Sequence, residues 1–172
     1  SVSPCLYNIS DGNPLHQSIK KSLIMRVYYW IINGVKGYQP GKVSLAGTNF
    51  GVNPCNIKED FFSVDWQPGG CVLHNKANII LDSYYPYEGK AYSEDLIHSL
   101  LLRQSGVSLF VVLGATCLVV LNQRLYGIQE IILDFRARLY FLNMANLSVF
   151  RMIIYYVIFI VRSLVLRKLE FA

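Results

Sequence analysis

Apolar and polar positions divide this chain into two parts. Residues 1–93 are interrupted by turn-forming residues, whereas residues 94–172 contain two long apolar runs. The first run is Leu96–Gln123, in which the last 20 residues carry no formal charge. An α-helix rises about 1.5 Å per residue, so this run matches a hydrocarbon core of roughly 30 Å. The pattern predicts a transmembrane helix at about 94–122.

A second transmembrane helix is predicted at about 139–166. Its charge-free centre is the ten residues that lie between Arg151 and Arg162. These two arginines are 11 residues apart and share one helical face, which we expect to contact protein or lipid headgroups. The intervening stretch 123–138 has apolar residues at helical spacing. It predicts an amphipathic linking helix at the membrane interface.

The first part of the chain predicts an extramembrane extension. Gly, Pro and Asn recur at short intervals within 34–70, which indicates turns and no helix of normal length. One short helix is predicted near 20–33. With Lys20, Lys21 and Arg26 among its apolar and aromatic residues, it fits an interfacial helix, and a helix buried against a partner subunit fits equally well. The predicted fold class is an all-α membrane protein: two transmembrane helices with a long, turn-rich, mostly irregular N-terminal extension.

The composition agrees with a membrane protein. Hydrophobic residues make up 53% of the chain, charged residues make up 16%, and the mean hydropathy is +0.33. The net charge of +5 arises entirely in 96–172, where eight Lys/Arg outnumber three acidic residues. Basic residues in such positions flank membrane helices and contact headgroups. Their scatter among apolar segments argues against nucleic-acid binding.

Local signals accompany the first predicted membrane helix. Ser93 precedes two acidic residues and predicts an N-cap. Gly106 and Gly114 lie eight residues apart and predict close helix–helix packing. No motif predicts nucleophilic catalysis or a metal site, because the histidines lie near no suitable Ser or Cys and the cysteines form no C-x-x-C pair.

The entrance of the same helix carries a short motif. The run Ser99-Leu-Leu-Leu-Arg103-Gln-Ser105-Gly106 resembles the start of the first helix in the cytochrome b large subunit of succinate dehydrogenase (respiratory complex II). The resemblance implies a ubiquinone site to which Ser99 and Arg103 contribute. A quinone carbonyl gains negative charge on reduction, so an arginine and a hydroxyl suit it as charge-assisted donors. A plain headgroup contact of Arg103 is the alternative.

A second similarity begins at Gln123. Both anchor subunits of complex II carry His-x3-Gly-x6-Asp-Tyr/Phe on their second helix, where the histidine ligates haem b. This chain has Gln123 at the histidine position, with Gly127 and Asp134 at the matching spacing. An amide is a poor haem ligand, which implies either that this chain does not ligate haem or that haem is absent. We expect Asp134 to pair with one of the nearby arginines, Arg124, Arg136 or Arg138.

The resemblance implies a multi-pass anchor subunit of mitochondrial succinate:ubiquinone oxidoreductase in the inner membrane. Such a subunit is not catalytic alone. It holds the iron–sulfur subunit at the membrane, beside the flavoprotein subunit and a second membrane-anchor subunit, and it contacts ubiquinone at a shared site and phospholipid such as cardiolipin. The alternative function is a non-catalytic accessory subunit of a respiratory complex or supercomplex.

Overall fold

The computed structural model is an α/β fold, so the predicted all-α fold class is wrong. The structure describes residues 1–16, 22–120 and 127–170. The elements in chain order are strand β1 (Val2–Asn8), helix α1 (Leu23–Asn33), strand β2 (Phe61–Ser63), helix α2 (Glu94–Gln104), strand β3 (Phe110–Val119), helix α3 (Ile128–Ala145) and helix α4 (Val149–Glu170). Within those described ranges, no helix is both long enough and apolar enough to cross a membrane.

The three strands form one mixed sheet in the order β1-β3-β2. β1 runs parallel to β3, and β2 runs antiparallel to β3. The register changes between Pro4, which lies opposite Val112, and Cys5, which lies opposite Thr116. Residues 113–115 of β3 therefore have no partner in β1, which makes an irregularity in the central strand. The central strand β3 lies within the apolar run that predicted a membrane helix.

The first predicted transmembrane helix, 94–122, is wrong between the end of α2 and residue 120, and its last two residues lie outside the described residues. Gly106 follows that end with a left-handed φ of 82°. Its amide donates to the Arg103 carbonyl at 3.0 Å. The Val107 amide donates to the Leu102 carbonyl at 2.9 Å. This pair of bonds is a Schellman motif, which closes the helix, and the β-branched residues that follow favour a strand.

The second predicted transmembrane helix, 139–166, falls on parts of two helices. α3 begins at Ile128, within the predicted linking helix, and continues to Ala145. Asn146 then adopts a left-handed φ of 53°, and the Leu147 amide donates to the Leu142 carbonyl at 2.9 Å. These contacts end α3 before α4 begins, so the apolar stretch is broken at this turn.

The short helix predicted near 20–33 is present as α1. The Ser22 hydroxyl accepts a hydrogen bond from the Met25 amide at 3.2 Å and caps the first turn. Gly34 ends the helix with a left-handed φ of 76°. The Arg151 guanidinium of α4 donates to the Trp30 carbonyl at 2.9 Å, which fixes the C-terminal end of α1 against α4.

Buried apolar clusters hold these elements together. Leu96, Phe141 and Met152 lie in a cluster that joins α2, α3 and α4. Leu102 belongs to another cluster, which packs α2 against the sheet. Each fully buried side chain of this size stabilises the fold by about 1.5–3 kcal/mol relative to an exposed position. α2 is therefore shared between the helical layer and the sheet.

Candidate functional site

Ser99 lies on the buried face of α2 and is 2% exposed. Its hydroxyl oxygen accepts a hydrogen bond from the Gln67 amide at 3.0 Å. The Gln67 side chain in turn donates to the Phe110 carbonyl at 2.8 Å. Ser99 thus connects α2, through Gln67, to the first residue of β3. This contact gives the hydroxyl a structural partner inside the protein.

Arg103 lies one turn further along α2, at the surface. Its guanidinium is 3.7 Å from a carboxylate oxygen of Asp65, and the Lys42 ammonium lies 3.2 Å from the same oxygen. The other Asp65 oxygen accepts a hydrogen bond from the Val43 amide at 3.3 Å. The side chain of Arg103 is 43% exposed, so solvent screens its attraction to Asp65.

The two residues of the motif therefore contact one short segment. Ser99 contacts the backbone of Gln67 inside the protein, and Arg103 contacts the side chain of Asp65 at its edge. The outward guanidinium can donate hydrogen bonds to a further anionic or carbonyl ligand beside Asp65. A ubiquinone contact by Ser99 and Arg103 stays a prediction.

Asp134 forms an ion pair with Arg138, which is one of the three arginines expected as its partner. The two side chains are one helical turn apart on α3, with a distance of 3.3 Å between the guanidinium and the carboxylate. The Arg138 side chain is only 11% exposed. Gln123 and Arg124 lie outside the described residues.

Further hydrogen bonds complete a buried network around this pair. The Tyr156 hydroxyl donates to Asp134 at 2.6 Å, and the Ser93 hydroxyl donates to the other Asp134 oxygen at 3.1 Å. Arg138 also donates to the Gly47 carbonyl at 2.6 Å. Ser93 occupies the predicted N-cap position of α2, but its side chain makes no capping hydrogen bond there. Its hydroxyl instead joins the start of α2 to α3.

The surroundings of Arg138 and Tyr156 strengthen the hold of both side chains on their protons. Burial alone would lower the pKa of Arg138, but the Asp134 carboxylate raises it above its ordinary value. Burial raises the pKa of Tyr156, and the negative charge of Asp134 adds to this increase. The tyrosine therefore stays protonated and donates to the carboxylate. The ion pair and its hydrogen bond to Tyr156 hold α3 and α4 in one orientation, and its polar groups are hydrogen-bonded to one another.

An aromatic cluster surrounds the first turns of α2. The Tyr84 ring stacks on His98 with centroids 6.0 Å apart, and the His74 ring meets His98 edge-on at 5.2 Å. The Tyr84 hydroxyl donates to Glu94 at 3.4 Å. Burial lowers the pKa of both histidines. In the part of the chain that the structure describes, no group of three or more His, Cys, Asp or Glu side chains could hold a metal ion.

The feature that sequence reasoning missed is a row of exposed apolar side chains on α4. The row follows the helix at alternating intervals of three and four residues, and its members are 39–72% exposed. We call it the α4 stripe, and it consists of Phe150, Ile153, Val157, Ile160 and Leu164. The same residues contributed to the predicted membrane helix. Their helical periodicity was visible in the sequence, but the face that the core covers was not.

Comparisons of the chain with protein-family models, with curated proteins and with solved structures found no match. The likeness to complex II therefore rests on the motif that begins at Ser99 and on the spacing around Asp134.

Proposed function

We propose that this chain is a subunit, not catalytic alone, that joins a larger assembly through the α4 stripe. The occupant of the stripe is an apolar helical surface of a partner subunit. The observation that carries this proposal is the exposure of five large apolar side chains at alternating spacings of three and four residues. Monomeric proteins rarely leave such a contiguous apolar row in water.

The spacing favours a helix as the occupant. Apolar residues that alternate at intervals of three and four stay on one side of a helix and meet the ridges of a second helix. The other faces of α4 are fixed, because Met152 and Tyr156 are buried in the core beside the stripe and Arg151 contacts α1. The stripe is thus held outwards by the rest of the fold.

The residues beside the stripe favour a broad apolar partner over a second copy of this chain. Ile154 and Val161 flank the stripe on one side, and Tyr156 and Ser163 flank it on the other. In two-stranded coiled coils, charged residues at such flanking positions form salt bridges that set the partner and its orientation, and these four residues are uncharged. Val161 is itself exposed and widens the apolar face. A face wider than a two-helix contact suits burial between several helices of another subunit.

The resemblance to succinate dehydrogenase names the assembly to test first. In that setting the chain would contact the iron–sulfur and flavoprotein subunits within the mitochondrial inner-membrane complex. Ubiquinone at Arg103 belongs to the same proposal, since a guanidinium at the surface of α2 suits a reduced quinone oxygen. The alternative is an accessory position in another respiratory complex, with the same use of the α4 stripe.

Native co-purification tests this function. An affinity-tagged chain is expressed in the cells that normally make it, and the complex is isolated in mild detergent and identified by mass spectrometry. Val157→Glu places a charge in the middle of the stripe. Ile128→Glu is the matched control, because Ile128 is 70% exposed at the start of α3, away from the stripe.

The wild-type chain and the control variant should co-purify with stoichiometric flavoprotein and iron–sulfur subunits, whereas Val157→Glu should lose them and keep its circular dichroism spectrum. Retention of partners by Val157→Glu would refute docking through the stripe. Co-purification with a complex that lacks both subunits would refute the assignment to succinate dehydrogenase. A particle of twice the 19.6 kDa chain mass would identify a second copy as the occupant and refute the heterologous partner.

A further inference from the structure

Helix α1 has an unusual outward face. Surface helices of water-exposed proteins place polar residues outwards. In α1 the outward positions are apolar, with Leu23 and Ile24 exposed by 75% and 80% and Val27 and Trp30 by 50% and 53%. Apart from Arg26, the helix is therefore largely apolar on both its covered and its open side.

The inward side of α1 is firmly packed. Tyr29 and Ile32 are buried with Phe50 in an apolar cluster, so the helix cannot turn its outward residues into the core. The Arg151 guanidinium also donates to the Ile31 carbonyl at the end of α1. Trp30 and its apolar neighbours are thus presented by a rigid scaffold.

The residues that precede and follow α1 in the sequence carry charge of one sign. Residues 12–58 contain six Lys/Arg and no Asp or Glu. Arg26 and Lys36 line an open groove of about 320 Å³ together with Leu23, Val27 and Trp30. An apolar helical face with tryptophan and basic neighbours is the arrangement that lies in the headgroup region of a bilayer.

We propose that the outward face of α1 binds the surface of an anionic phospholipid bilayer. Leu23, Ile24 and Trp30 enter the boundary between headgroups and acyl chains, while Arg26 and Lys36 contact lipid phosphates. An acidic protein surface would satisfy the two cations, but the 80% exposure of Ile24 at the helix start is better matched by a soft apolar boundary. This inference does not depend on the α4 stripe, because it uses a different helix.

Flotation with defined vesicles tests the proposal. The purified chain is mixed with vesicles of pure phosphatidylcholine or of equimolar phosphatidylcholine and phosphatidylglycerol. It should float only with the anionic vesicles, and added salt should weaken binding because the cations are screened. Trp30 should show a blue shift of its fluorescence, whereas Trp66 is buried and should not respond.

Three variants separate the apolar and electrostatic parts. Ile24→Ser combined with Trp30→Ser should weaken binding by more than about tenfold, since the burial of even one large apolar side chain contributes at least that factor. Arg26→Gln and Lys36→Gln should each weaken it about fivefold, the value for one cation at an anionic surface. Val157→Glu on α4 is the control and should bind vesicles normally.

Several results would overturn the proposal. They are no flotation with either vesicle, equal flotation with neutral and anionic vesicles, or loss of flotation by Val157→Glu while the α1 variant still binds. The last result would move the lipid contact to α4. Loss of co-purified subunits by Val157→Glu with intact vesicle binding would support both proposals separately.

Discussion

The Val107 amide donates a hydrogen bond to the Leu102 carbonyl at 2.9 Å across the end of α2. This bond spans Gly106, whose φ of 82° turns the chain out of the helix. The turn directs the following apolar residues into the sheet, where β3 lies between β1 and β2. Gly106 therefore ends α2 at the point where the apolar segment leaves the helix and leads into the central strand.

Replacing this glycine tests that relationship. Gly106→Ala should lower the free energy of unfolding by about 1–2 kcal/mol, because an L-residue is strained in left-handed backbone. No atom lies within 4 Å of the added Cβ, so the cost should come from backbone conformation alone. Urea unfolding followed by circular dichroism measures it.

Gly114→Ala is the matched control for this experiment. Gly114 lies in β3 without a positive φ, and its added Cβ also meets nothing within 4 Å. This variant should leave the unfolding free energy unchanged or raise it slightly, because alanine has less freedom than glycine in the unfolded chain. Equal losses in the two variants would contradict the role assigned to the turn at Gly106.

The sequence predicted the start of α2 and the existence of α1, but it did not predict β3. An uninterrupted apolar run fits both a membrane helix and a strand with neighbours on both sides. Two signals favoured the strand: the glycine at 106 and the β-branched residues Val111, Val112, Thr116 and Val119. These signals favour a strand only if β3 has a strand beside it to pair with. That strand is β1, which lies at the start of the sequence, and hydrophobic periodicity does not reveal the pairing.

The candidate site was predictable only in part. The pairing of Asp134 with an arginine followed from helical spacing, and the structure selects Arg138. The added partners Ser93 and Tyr156 come from other helices, so their approach depends on tertiary packing. The structural contact of Ser99 could not be foreseen either, since Gln67 lies in an irregular segment.

Removing the carboxylate from the buried network should be costly. Asp134→Ala leaves the Arg138 charge without its acidic partner, and we expect a loss of about 3–5 kcal/mol in unfolding free energy. The combined Asp134→Leu and Arg138→Met variant removes both charges and should recover most of that loss. Denaturant unfolding of the variants measures the difference.

Arg136→Met is the control for the buried pair, because Arg136 is exposed on the same helix. It should change the unfolding free energy by no more than about 0.5 kcal/mol. If the Asp134→Ala variant is as stable as this control, the network does not hold α3 and α4 in place.

Ser99 and Arg103 can be separated by measuring stability and activity together. Ser99→Ala leaves the buried Gln67 amide without its acceptor and should lower the unfolding free energy by about 1–3 kcal/mol. Arg103→Ala removes an exposed ion pair and should cost no more than about 1 kcal/mol. Within the proposed complex, Arg103→Ala should sharply reduce electron transfer from succinate to quinone.

Asp65→Asn distinguishes a quinone role of Arg103 from its structural contact. It removes the same ion pair but keeps the guanidinium, so quinone reduction should continue. Normal quinone kinetics in Arg103→Ala, in a complex that contains the variant chain, would refute the quinone assignment. Equal loss of activity in both variants would assign the effect to the ion pair.

Acidification should weaken the fold through its histidines. Burial lowers the pKa of His16, His74 and His98 from the ordinary value of 6.5. The unfolded chain therefore binds more protons than the folded chain just below that pH. The contribution of these histidines to the unfolding free energy is complete above pH 6.5, and it is lost as the pH decreases through the folded pKa values. The urea midpoint should decrease over this window.

The contribution of His98 to the pH dependence of stability can be measured once the opposing contribution of Asp95 is removed. Burial raises the pKa of Asp95, which gives a stability change of the opposite sign in acid, so the series is best measured in an Asp95→Asn background. In that background His98→Gln should reduce the dependence of the urea midpoint on pH. Ring resonances followed by NMR should give a His98 midpoint below 6.5, and a midpoint at or above 6.5 would show that the stacking of Tyr84 on this ring does not shield it from water.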